Sequence, residues 1–102
     1  MHLVQILLPL FDNAGNAFPA EMYRDVTRAL SERFGGVTAY TRAPAEGRWR
    51  DDEDRERRDE IVVLDTMVET LDRAWWRDYR QQLEARFRQN EIAMRALPIE
   101  KL

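Results

Sequence analysis

The alternation of aliphatic runs with amphipathic stretches along these 102 residues predicts an α+β sandwich with elements in the order βαββαβ. Three observations carry that expectation. Segments 3–10 (LVQILLPL) and 60–68 (EIVVLDTMV) are the two near-continuous aliphatic runs and read as central strands. Two longer segments repeat apolar residues three and four apart, as a helix face does. Segments 37–42 and 90–102 alternate or nearly so, which suits edge strands.

Taken in order, strand one sets Val4, Ile6 and Leu8 on one side and Leu3, Gln5 and Leu7 on the other. Gln5 interrupts the second side. Pro9 cannot donate to a ladder, so pairing should end near it, and segment 12–16 (DNAGN) follows as turn chemistry. Helix one opens with Pro19 at its first position and runs to about Arg33, with Met22, Val26, Ala29, Leu30 and Phe34 as its apolar stripe. Gly35 and Gly36 stop it, the first glycine supplying left-handed backbone.

Strand two, 37–42, sets Thr38, Tyr40 and Arg42 against Val37, Ala39 and Thr41. Segment 43–47 breaks it, segment 48–50 (RWR) extends a hairpin arm, and 51–59 is expected to be a charged, solvated hairpin loop within a single domain spanning 1–102. Residues 48–60 hold seven acids and five arginines, so the loop nearly neutralises itself. After strand three, Thr70 is the expected N-cap of a helix from Leu71 to about Arg88. Leu71, Trp75, Tyr79, Leu83 and Phe87 recur every fourth residue along it, widened by Trp76 and Ala85, while its polar side carries a small arginine excess. Trp75 and Trp76 diverge by about 100° and cannot form one stacking platform, so they are expected in core and shoulder packing. The tail is expected to be strand four, with helix as the alternative. The whole order is the split βαβ pattern of a ferredoxin-like fold: a four-stranded antiparallel sheet, strands one and three central, two helices on one face.

Composition narrows the function. A net charge of −3 leaves no global positive field, so nucleic acid and anionic membranes are not expected partners. Cysteine is absent, which removes disulfides and thiolate chemistry, and the one histidine, His2, rules out a histidine dyad within a subunit. No run approaches the ~20 apolar residues of a membrane span. The apolar N-terminus lacks a positive leader region and a cleavage site, so a cytoplasmic protein starting at Met1 is expected. Gly35 and Gly36 end a helix instead of opening one, the wrong polarity for a phosphate loop. No resident metal or cofactor is expected.

Two helices cover one face only, and whichever parity faces them, several of Leu3, Leu7, Ile61, Val62, Val63 and Leu64 are left on the other face. At ~25 cal/mol per Å2, leaving such side chains wet forfeits on the order of several kcal/mol, so a homodimer joined through sheet faces or edge strands is the expected assembly. The candidate ligand site is Gln5, Tyr40, Arg42, Trp49 and Arg95, which offer a phenol, cations and an aromatic wall to a small anionic or aromatic molecule. Asp12 and Asp65 are a second candidate, near the ends of the central strands.

The residues Phe34-Gly35-Gly36-Val37-Thr38, followed by Gly47-Arg48-Trp49 and strand three, resemble a group of small bacterial proteins that share a helix ending in Phe-Gly-Gly, a threonine-bearing strand and a Gly-x-Trp hairpin. That likeness brings no established activity. More loosely, the layout resembles the dimeric α+β barrel superfamily, which implies a homodimer and includes cofactor-independent monooxygenases, isomerases and haem-handling enzymes. The haem-handling members use a proximal histidine, and His2 does not match its position. An enzyme of this barrel type, using Tyr40 or Asp65 as acid or base, is therefore one alternative to a binding domain. A structural or protein-interaction module docking through the charged loop or the arginine-bearing helix is another.

Overall fold

The computed structural model describes residues 1–42 and 60–102, apart from the side chains of Thr41 and Arg42. Its elements are β1 (His2–Pro9), α1 (Ala20–Phe34), β2 (Thr38–Arg42), β3 (Ile61–Val68), α2 (Arg73–Arg86) and β4 (Ala93–Pro98). The strands form one antiparallel sheet in the order β2-β3-β1-β4, so the fold is ferredoxin-like, as its sequence predicts. Residues 48–50 and the expected loop 51–59 lie outside the described residues.

Sheet register follows from the pleat. Val4 faces Thr66, Ile6 faces Leu64 and Leu8 faces Val62 across β1 and β3, putting one parity of both strands on the side of the helices. There they join Val26 and Leu30 of α1 and Trp76, Tyr79 and Leu83 of α2, with Phe18, Phe87 and Ile92 closing the ends of the core. Thr66 is the buried polar residue of this layer, and its hydroxyl donates to the Gly36 carbonyl at 2.6 Å. That bond ties β3 to the α1–β2 turn and satisfies the buried Thr66 hydroxyl.

The helix ends have local causes. Pro19 stands at the N-cap of α1, so Ala20 is the first helical residue, one later than expected. At the other end Gly35 adopts φ 87°, donating its N–H to the Ser31 carbonyl at 2.8 Å, the left-handed stop its position foretells. The cap of α2 departs from expectation. Asp72, not Thr70, sits at the N-cap, and its Oδ1 accepts the Trp75 N–H at 3.1 Å. An aspartate placed three residues before a free N–H satisfies it with a charge that also complements the helix dipole. Helix α2 ends at Arg86, and Arg88 beyond it takes a positive φ of 53°.

Aromatic packing on α2 separates the two adjacent tryptophans as expected. Their rings lie at 87°, 4.8 Å apart; Trp76 stacks on Phe34 in the core, while Trp75 is half-buried and carries the Arg33 guanidinium 4.3 Å above its ring. The tail forms a strand: Ala93–Pro98 pairs with β1, and Ile99 adds a bond to the Met1 carbonyl. Among the described residues no helix is long and apolar enough to cross a membrane.

Candidate functional site

The face turned away from the helices collects the other parity of all four strands. Across its middle the register aligns Thr38 of β2, Asp65 of β3, Gln5 of β1 and Arg95 of β4 in one polar row. Adjacent strands lie about 4.8 Å apart, so Asp65 and Arg95 are separated by roughly 10 Å across Gln5. The row is apolar on both flanks. Met67, Leu3 and Leu97 align on one side; Tyr40, Val63, Leu7 and Ala93 align on the other.

Within the row the contacts are specific. Arg95 donates from Nε to the Gln5 carbonyl oxygen Oε1 at 2.8 Å, and the Tyr40 hydroxyl donates to Asp65 Oδ2 at 3.3 Å. The other carboxylate oxygen, Asp65 Oδ1, is buried and accepts no hydrogen bond from any described residue. A shielded carboxylate oxygen without a donor costs free energy unless something supplies one. Beside it, at the end of the sheet, opens a groove of about 670 Å3 walled by Leu3, Thr38, Met67, Gly35 and Gly36.

Three of the five expected ligand residues, Gln5, Tyr40 and Arg95, thus fall on one face. Arg42 pairs with Ile61 at the end of β2, and Trp49 lies outside the described residues. Asp12 and Asp65 do not converge: Asp65 is mid-strand opposite Gln5, whereas Asp12 lies in the turn beyond Pro9. There Asp12 Oδ1 accepts the N–H groups of Asn16 and Ala14 at 2.8 and 2.9 Å. The Asn16 N–H above all, with that of Ala14 and the Arg88 guanidinium, holds its carboxyl below the usual range. Its duty is the turn. His2 begins β1, half-buried opposite Val68 and Pro98. Among the described residues no three His, Cys, Asp or Glu side chains gather where a metal would need them.

The pairing of Asp65 with Gln5 escapes a strand-by-strand reading. Its signal is nonetheless present: Gln5 and Asp65 each interrupt an aliphatic run at a position of the same parity once the strands are paired antiparallel.

No family model and no curated protein matches the chain. Among solved structures it is similar to a phage SAM lyase in complex with S-methyl-5'-thioadenosine, with a TM-score of 0.50 and 14% sequence identity over 94% of this chain and 79% of that one. At that identity the likeness concerns the fold.

Proposed function

We propose that this chain is a small-molecule-binding domain that acts as a homodimer, two copies meeting through the open sheet faces. One observation carries the reading: a polar row, with a carboxylate oxygen that no described residue pairs, crosses an otherwise apolar face that neither helix covers. Met67 is 47% exposed, Leu97 43% and Tyr40 42%, and all three lie on this face. Exposed apolar side chains gathered on one surface favour a covering partner. A second sheet packed about 10 Å away would enclose the row between two layers.

The ligand chemistry follows from the ends of the row. Asp65 accepts from an amino or hydroxyl group, Arg95 offers a guanidinium to an acceptor or anion about 10 Å away, and Tyr40 gives an aromatic wall. The structural neighbour's nucleoside thioether, with donor groups on a flat ring and a ribose, is a reasonable first probe. The resemblance to dimeric α+β barrel proteins agrees with the same assembly. The Tyr40 hydroxyl on Asp65 favours a second reading, an enzyme in which this pair moves a proton.

The test is a thermal-shift screen of S-methyl-5'-thioadenosine, nucleosides and aromatic amino acids against the wild type and a Tyr40→Phe, Asp65→Asn variant. A ligand that raises the wild-type Tm should raise that of the variant much less. Equal shifts in both proteins would remove the row from the site. Turnover of a hit by the purified protein would favour the enzyme.

A further inference from the structure

On the opposite layer, α2 and the edge strand β4 enclose a cleft of about 300 Å3, at the small end of ligand pockets. Its apolar floor includes Val4, Met94, Leu71 and Trp76, and its rim is Arg73, Arg77 and Arg80. Spacings of four and three put those arginines on one helix face. This arrangement works against the helix. Arg73 sits at the first position, where the dipole is positive, the first turn has no acid, and like charges at i,i+4 disfavour a helix.

The Asp72 cap offsets the dipole, but no ion pair does so for Arg73 or Arg77 among the described residues. No carboxylate among the described residues lies within 4 Å of Arg73 or Arg77; Arg80 alone has one, Glu84 Oε2 at 3.6 Å from its Nε. That oxygen already accepts the Ile92 N–H at 3.0 Å. At 3.6 Å the Arg80–Glu84 contact is an ion pair too long for a hydrogen bond, and Arg80 Nε is buried without one. The same holds for Trp76, which is 5% exposed and whose indole N–H has no acceptor. Arg73, Arg77 and Arg80 thus line one side of a cleft whose apolar wall includes Trp76, and among the described residues Arg73 and Arg77 have no carboxylate partner, an arrangement suited to an oxyanion. Arg95 touches the rim as well, but its Nε is engaged with Gln5 on the far face.

We propose that this cleft binds a phosphomonoester, its dianionic head held by Arg73, Arg77 and Arg80 and its apolar body laid against Trp76, Leu71 and Met94. A doubly charged head is expected to fit better than a carboxylate because three arginines line the same cleft and only Arg80 has a carboxylate beside it. The cleft lies on the layer opposite Asp65 and does not depend on dimerisation through the open face.

Isothermal titration with phenyl phosphate, benzoate and phenol tests the assignment. Phenyl phosphate should bind saturably at one site per chain, benzoate more weakly and phenol not at all. An Arg73→Ala, Arg77→Ala variant should weaken phenyl phosphate by about tenfold or more, since hydrogen bonds to charged groups are lost. Both residues are exposed, so the fold should survive, which circular dichroism checks. The charge-matched variant Arg24→Ala, Arg28→Ala on α1 should leave the affinity unchanged. Equal losses in the two variants, equal binding of benzoate, or no saturation at about 10 mM phenyl phosphate would overturn the proposal.

Discussion

Tyr23 shows how one side chain couples α1 to the sheet. Its hydroxyl donates to the Pro9 carbonyl at 2.6 Å, at the point where β1 ends and proline has no N–H of its own to pair. Partial burial pushes the phenol up to about 12. A group bound to its proton more tightly in the folded state stabilises the fold fully below its unfolded pKa, and that contribution is lost as pH rises from about 10 toward 12. Tyr23→Phe should therefore cost about 1 kcal/mol near neutrality and flatten the fall in stability between those pH values. Urea midpoints at pH 8 and pH 11 measure both effects. Tyr79, raised by its own burial against the opposing charge of Arg86, keeps a residual slope in the variant. Identical slopes in the two proteins would detach the alkaline loss from Tyr23.

At the scale of elements, the helix ends decide where each layer begins and stops. Asp72 caps α2 with one hydrogen bond and its charge, so Asp72→Ala should lower stability by about 1 kcal/mol. Thr70→Ala should cost nothing comparable, because no capping bond runs through it. Gly35 differs in kind. A Cβ added there meets nothing within 4 Å, so Gly35→Ala carries only the backbone cost of left-handed φ, about 1 kcal/mol. Chemical denaturation of the three variants separates these contributions, and a Thr70→Ala loss as large as that of Asp72→Ala would contradict the cap assignment.

For the whole molecule the question is what covers the open sheet face. Met67 and Leu97 both flank Leu3 in register, giving an apolar strip along one side of the polar row. Replacing them by lysine, Met67→Lys with Leu97→Lys, removes nothing from the core between sheet and helices, so the subunit should fold as before. The expected outcome in sedimentation at tens of micromolar, a range set by weak-to-moderate association, is a dimer for the wild type and a monomer for the variant. A monomeric wild type would remove the dimer and leave the arginine cleft untouched.

The two aliphatic runs, the helix periods of α1 and α2 and the glycine stop at Gly35 were legible in the chain because each is a local pattern whose period matches one element. Gln5, Tyr40 and Arg95 could be named as candidates from their chemistry, and parity within each strand is local too, but which parities share a face is not. Register is not local. Only the antiparallel pairing of β1 with β3 sets Asp65 beside Gln5, with no donor to its Oδ1 among the described residues, and only the approach of α2 to β4 joins three helix arginines, Trp76 and Met94 in one cleft. Both candidate sites are built from residues distant in the chain, so sequence determined which side chains each element would present, and packing decided which of them meet.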